Sequence, residues 1–149
     1  MPSGKRSCFV DTNLIVYAMD PGELRKRLSA ADWLRSLSRT RMLVLSPQSL
    51  NESYRVLTER RRLDRRDVRD FIAVLVPFCT APCGTGVLRK AWRVQDATGF
   101  GWWDCLLLGS ALAAGCDVFL SEDMQHERII EGMTILNPFR LGEPASFFS

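Results

Sequence analysis

Four acidic residues stand at points of the chain where catalytic carboxylates are useful. Asp11 closes the apolar run Cys8-Phe9-Val10, and Glu52 falls within two turns of a helix start at Ser46-Pro47. Asp104 opens a long apolar stretch, and Asp123 follows Val118-Phe119-Leu120. If the apolar runs are parallel strands, strand carboxyl ends and following helix amino ends share one edge, where open α/β sheets place ligands. Asp104 begins the helix that feeds a strand, so its place there is less automatic, but it is the sole acid of its stretch. Several carboxylates on one edge raise one another's pKa unless cations neutralise them. Oxygen ligands with no His or Cys nearby favour Mg²⁺ or Mn²⁺ over zinc. Such a site can activate water and stabilise the attacking and leaving oxygens at a phosphodiester. Thr12 and Asn13 are placed to orient Asp11 or to hydrogen-bond a water on the metal.

Each acid also has a plainer account. Asp11 could N-cap the next helix through Asn13 or Leu14 N–H. Asp104 could be a first-turn acid favoured by the helix dipole, Glu52 a solvated helix residue, and Asp123 a turn residue beside Ser121. Glu122 reads as outward-facing or supporting. The joint pattern carries more than any one position.

The elements that must position these acids follow from periodicity. Strands are expected at 8–10, 42–45, 117–120 and 133–136, with a brief edge strand at 78–80. Helices are expected at 13–19 and 23–37, the latter with Leu24, Leu28, Ala31, Trp33, Leu34 and Leu37 as its inner stripe. Ser46 as cap with Pro47 at the first position starts the next helix, in which Leu50, Tyr54 and Leu57 share a face. Asp64 opens another, with Val68, Phe71, Ile72 and Leu75 inward, stopping near Pro77. Residues 84–98 form a helix with Val87, Leu88, Ala91 and Trp92 inside and Gly99 as its stop. Residues 105–115 are apolar on nearly every side, as a helix buried against a sheet would be. Strands alternating with helices imply an α/β fold with a mostly parallel sheet.

Composition narrows the classes. The chain has 149 residues, 46% hydrophobic and 25% charged, enough for one globular domain with a real core. No apolar run approaches the roughly 20 residues of a membrane span. The start, Met-Pro-Ser-Gly-Lys-Arg-Ser, makes a poor signal peptide, so a cytoplasmic protein is expected. The cysteines, Cys8, Cys79, Cys83, Cys105 and Cys116, are scattered, and His126 is the single imidazole. Reduced core thiols are therefore expected rather than a zinc site or a disulfide framework. Net charge is +3, but Arg55, Arg60, Arg61, Arg62, Arg65, Arg66 and Arg69 cluster among Glu59, Asp64, Asp67 and Asp70. That segment is either a solvated helical hairpin or a rim for phosphates or an acidic partner, with Arg61, Arg62 and Arg65 as its contact candidates.

Phe-Val-Asp11-Thr-Asn13, Asn51-Glu52, Trp103-Asp104, Leu-Ser-Glu-Asp123-Met-Gln and Asn137-Pro138-Phe139 together resemble a PIN domain. The resemblance spans residues 8–139 and looks most like the stand-alone ribonuclease toxins of VapBC-type toxin–antitoxin pairs. It implies a PIN-like three-layer fold over 1–149, with a central mostly parallel sheet flanked by helices, and 140–149 as a surface tail. It also implies an endoribonuclease that uses Mg²⁺ or Mn²⁺ held by Asp11, Glu52, Asp104 and Asp123, assisted by Thr12, Asn13 or Ser121. A homodimer and inhibition by a cognate antitoxin protein are implied as well. Two departures touch groove shape and RNA preference: Glu127 where a glycine is more usual, and the bulky Trp102-Trp103 pair. Three other readings stay open. One is a catalytically silent PIN-like RNA- or partner-binding module, and another is a DNA-cutting relative. The third is an aspartyl phosphotransferase using Asp11, which would want an acid where Asn13 stands.

Overall fold

A computed structural model describes residues 6–148. The chain runs β1 (Cys8–Val10), α1 (Thr12–Tyr17), α2 (Leu24–Arg39), β2 (Leu43–Val44), α3 (Pro47–Arg55), a π turn (Val56–Arg60) and α4 (Arg65–Leu75). A 3₁₀ turn (Val76–Phe78), α5 (Gly86–Thr98), α6 (Trp102–Ala113), β3 (Val118–Leu120), β4 (Ile129–Ile130) and β5 (Met133–Leu136) follow. A second 3₁₀ turn (Pro138–Arg140) and α7 (Pro144–Phe148) come last. The sheet order is β2-β1-β3-β5-β4, parallel except for the β4–β5 pair.

Alternation along each strand sorts the core into two layers, because successive side chains leave opposite faces. Cys8, Val10, Val118 and Leu120 pack with Trp33, Leu34 and Leu37 of α2 on one side. Phe9, Phe119 and Ile135 pack with Ala91 and Val94 of α5 and with Leu107, Leu108 and Ala111 of α6 on the other. Phe9 and Phe119, paired across the β1–β3 register, stack with centroids 5.1 Å apart. Helices on both faces of a mostly parallel sheet give the expected α/β architecture. Against α5, α6 comes close enough that a Cβ on Gly109 would lie 3.0 Å from the Ala91 backbone nitrogen.

Local signals fix most boundaries. Ser46 caps α3 in a reciprocal box with Ser49, ahead of Pro47. Asp64 caps α4 through Arg66 and Asp67 N–H, and Gly99 ends α5 in the left-handed region at φ 72°.

The structure departs from the sequence expectation in five places. In α2 the buried stripe is Ala30, Trp33, Leu34 and Leu37, while Leu24 and Leu28 are 58% and 60% exposed. A 16-residue helix is about 24 Å long and outruns strands of two to four residues, so its first turns find no sheet to cover. In α5 it is Val94, not Trp92, that turns inward, and Trp92 is exposed. Residues 78–80 make one bridge, Leu45 to Cys79, beside the 3₁₀ turn that holds Pro77, rather than a strand. β4 is unforeseen and joins β5 through Glu131-Gly132, both at positive φ, the geometry of a tight hairpin. The tail is not all surface, since Pro144 is buried and the Phe147 ring meets Trp33 edge-on at 5.4 Å.

Candidate active site

Asp11 sits at the carboxyl end of β1, its N–H donating to the Leu120 carbonyl at 2.9 Å and so tying the ends of β1 and β3 together. It does cap α1, but one oxygen accepts from Thr12 N–H at 2.7 Å rather than from Asn13 or Leu14. The other oxygen accepts from the Ser121 hydroxyl at 2.7 Å. With both oxygens engaged and the residue only 6% exposed, the carboxylate suits holding a ligand better than attacking as a free nucleophile. Burial pushes its pKa up to about 7; the Ser121 and Thr12 hydrogen bonds oppose that, and the charges of Asp104 and Asp123 add to it.

Ser121 is the hub of the β3 side. Besides donating to Asp11, it accepts from Asp123 N–H at 3.2 Å and from Asn13 Nδ2 at 3.4 Å. Asn13 Nδ2 also donates to Asp123 Oδ2 at 3.0 Å, which fixes that carboxylate from α1. The Asn13 side-chain carbonyl oxygen is buried with no hydrogen-bond partner, an acceptor the protein leaves unsatisfied.

Glu52 reaches the same place from α3. Its Oε2 accepts from Thr12 Oγ1 at 3.1 Å, and its Oε1 accepts from Gln48 Nε2 at 3.1 Å. Gln48 Nε2 also lies 3.4 Å from the Trp103 carbonyl, linking α3 to the start of α6. Gln48 was not singled out by sequence reasoning, although its spacing of four residues from Glu52 on one helix was a usable signal. Asp104, in the first turn of α6, is exposed at the rim. Its pKa is raised by burial first and then by the charges of Asp123 and Glu52.

The fold therefore draws Asp11, Glu52, Asp104 and Asp123 to one sheet edge, and Thr12, Asn13 and Ser121 hold three of them through neutral donors. Among the described residues none of the four acids is ion-paired, and no three His, Cys, Asp or Glu side chains close into a ready coordination shell. The neighbouring Glu122 differs. Burial would push its carboxyl up, but hydrogen bonds from Lys26 and Tyr17 outweigh that and hold it below the usual range.

A cavity of about 390 Å³ opens at Glu52, lined by Thr12, Glu52, Arg55, Val56, Arg60 and Trp103 and by none of the other three acids. The arginine candidates divide differently from expectation. Arg61 is held at 3.0 Å by Asp20, whose side chain is buried, so its guanidinium serves the fold. Arg62 adopts φ 54° in the turn before α4, and Arg65 stands exposed in the first turn of α4. Arg55 and Arg60, named only as part of the cluster, are the ones at the cavity.

A family model for the PIN domain matches residues 8–131, and the chain belongs to the PIN-domain family. Two solved structures place it more closely in shape. It is similar to Mycobacterium tuberculosis VapC20, a sarcin–ricin loop cleaving toxin. The identity is 18% and the TM-score 0.56, covering 76% of this chain and 87% of that one. It is also similar to Rickettsia felis VapBC2 bound to a DNA fragment from its promoter. There the identity is 13% and the TM-score 0.60, covering 86% and 96% of the two chains. At these identities the likeness is one of fold. No curated protein is a significant sequence match.

Proposed function

We propose that the protein is a divalent-cation-dependent endoribonuclease, the toxin of a toxin–antitoxin pair. The observation that carries this is the buried Asp11 carboxylate. It is fixed by neutral donors, its pKa raised chiefly by burial and further by the charges of Asp104 and Asp123, and it is unpaired with any cation among the described residues. Keeping such a carboxylate buried is costly unless a cation is meant to relieve it. The residues fit Mg²⁺ or Mn²⁺: all the candidate donors are carboxylate oxygens, and the unpartnered Asn13 carbonyl adds an oxygen acceptor.

Asp11, Asp104, Asp123 and Glu52 would hold the cation, which when bound supplies positive charge at the scissile phosphate and makes water more acidic. The chain's own part is positional. Ser121 and Thr12 N–H lock the Asp11 rotamer, Asn13 locks Asp123, and Thr12 with Gln48 locks Glu52.

The names of the structural neighbours support the biological side of the reading, one being a toxin that cleaves the sarcin–ricin loop and the other a VapBC protein. On that reading the working form is a cytoplasmic homodimer silenced by a cognate antitoxin protein. Among the described residues no helix is long and apolar enough to cross a membrane.

The test is cleavage of RNA by purified, antitoxin-free protein in Mn²⁺ and in EDTA. Asp11→Asn and Asp104→Asn are expected to lower the rate by about a hundredfold or more, since even supporting partners of a metal ligand cost ten- to hundredfold. Circular dichroism should stay unchanged. Cleavage that survives EDTA or both substitutions refutes the proposal.

A further inference from the structure

Trp103 is 66% exposed although it directly precedes Asp104 and borders the cavity shared with Thr12 and Glu52. Trp102, its neighbour, packs into the core, so the exposed ring is not simply the overflow of an apolar helix. Gln48 holds the Trp103 backbone carbonyl while also holding Glu52, so the backbone that carries the indole is tied to the site.

The same cavity is lined by Arg55 at the end of α3 and by Val56 and Arg60 of the π turn Val56–Arg60. In an α-helix residues five apart point about 140° away from each other round the axis. The wider π winding, closed by Arg61 N–H to the Val56 carbonyl at 3.0 Å, brings Arg55 and Arg60 onto one cavity. Arg55 is braced by Glu59 at 3.3 Å, and Arg60 has no ion-pair partner among the described residues. An exposed indole and two guanidiniums lining one cavity, beside a site for phosphate chemistry, suit one unstacked nucleotide: a flat base for the ring and a phosphate for the arginines.

We propose that Trp103, Arg55 and Arg60 form a subsite for a single-stranded RNA nucleotide flanking the scissile phosphate. In it Trp103 stacks the base and Arg60, with Arg55, contacts the backbone. The inference rests on the ribonuclease reading and adds to it the residues of this chain that seat the nucleotide beside the scissile phosphate.

The experiment measures binding of a short mixed-sequence single-stranded RNA, and of a blunt duplex of the same sequence, to Asp11→Asn protein in EDTA. In that background Trp103→Ala should weaken single-strand binding roughly five- to a hundredfold, the range of one lost base stack, and Trp103→Phe should recover most of it. Indole fluorescence quenched by the single strand should disappear in Trp103→Phe. Arg60→Gln should lower affinity alike for all sequences and reduce the salt slope by about one. Unchanged affinity in Trp103→Ala overturns the subsite, as does tighter binding of the duplex. So does a Trp103→Ala variant that keeps its RNA affinity but loses self-association. If wild-type protein still cleaves RNA in Mn²⁺ in those cases, only the subsite has failed. If wild type neither cleaves nor binds, the ribonuclease reading has failed and the subsite with it.

Discussion

The most informative perturbation is Asp11→Asn in metal-free protein, because the reasoning makes that substitution stabilise the fold. The folded carboxyl titrates at about 7 against 3.8 for an ordinary aspartate, with burial the largest cause. Below 3.8 both the folded and unfolded states hold the proton and the carboxyl contributes nothing to pH dependence. Between 3.8 and about 7 only the folded state holds it, so stability falls as pH rises. Above 7 both states are ionised and the full cost is in place. A shift of about three units at 1.36 kcal/mol each amounts to about 4 kcal/mol. Asparagine keeps the shape and its oxygen can accept from Thr12 N–H, but Ser121 Oγ already accepts from Asp123 N–H and Asn13 Nδ2, so the bond to Ser121 is lost at a cost of about 1–3 kcal/mol. The loss of charge should still outweigh it. At pH 8 in EDTA, Asp11→Asn is expected to unfold at least a few degrees above wild type, and the gap should shrink towards pH 4.

Saturating Mn²⁺ should shrink that advantage. At a hundredfold excess over its dissociation constant a ligand stabilises by about 2.7 kcal/mol, and only wild type keeps the full donor set. Thermal or urea unfolding at pH 5 and pH 8, with and without Mn²⁺, reads all four corners. Parallel pH profiles for wild type and variant in EDTA would refute the account of Asp11 as an uncompensated buried charge.

Three smaller predictions test the scaffold. Arg61→Ala should cost about 1–3 kcal/mol in urea unfolding, because it leaves the buried Asp20 carboxylate short of its guanidinium, whereas Arg65→Ala should stay within about 0.5 kcal/mol. Gly109→Val should lower stability by about 1–3 kcal/mol, since the added methyls meet the α5 backbone where even a Cβ lies 3.0 Å from Ala91 N. Alkylation of the native protein at pH 8 should modify the exposed Cys83 first. Cys8 and Cys116, buried and with thiols pushed up to about 12, should react only on unfolding, as mass spectrometry of labelled peptides would show.

The parts of this fold that could be read from the sequence are those set by local chemistry. Ser46-Pro47, Asp64 and Gly99 announce helix ends because a cap needs only neighbours along the chain. Asp11, Glu52 and Asp123 could be placed at one edge because a parallel sheet determines which end of each strand meets which helix. What escaped depends on partners distant in sequence. Leu24 and Leu28 obey the helical period but lie beyond the sheet's reach, and Trp92 turns outward while Val94 takes the inner place. The β4 hairpin places Glu131 at positive φ, a position for which the residue type gives no hint. The π turn has no short-range signature, yet it decides that Arg55 and Arg60, rather than Arg61, meet the cavity.

The nature of the donors around the acids argues for a site rather than a structural network. Lys26 shows that the fold can neutralise a carboxylate at this edge. It does so at Glu122, pairing with that carboxylate while lying 4.9 Å from the Tyr17 ring centroid and 5.6 Å from that of Phe139. One residue further on, the Asp123 carboxylate receives the Asn13 amide while its own N–H donates to Ser121 Oγ, and Asp11 receives a hydroxyl and a backbone N–H. Neutral donors fix the direction of a carboxylate while leaving its charge available, whereas a lysine or arginine would cancel that charge and block an incoming cation. If these contacts served only to join α1 to the β3 edge, uncharged side chains would join them at lower electrostatic cost. The repulsion of Asp11 by Asp104 and Asp123 would then have no return. Lys26→Gln supplies the contrast: freeing Glu122 should alter local packing and leave the Mn²⁺ response of unfolding intact, because Glu122 is bonded to Lys26 and Tyr17 and to none of the four acids. A Mn²⁺ response that grows in that variant would place the cation on the Glu122 side and refute the assignment to Asp11.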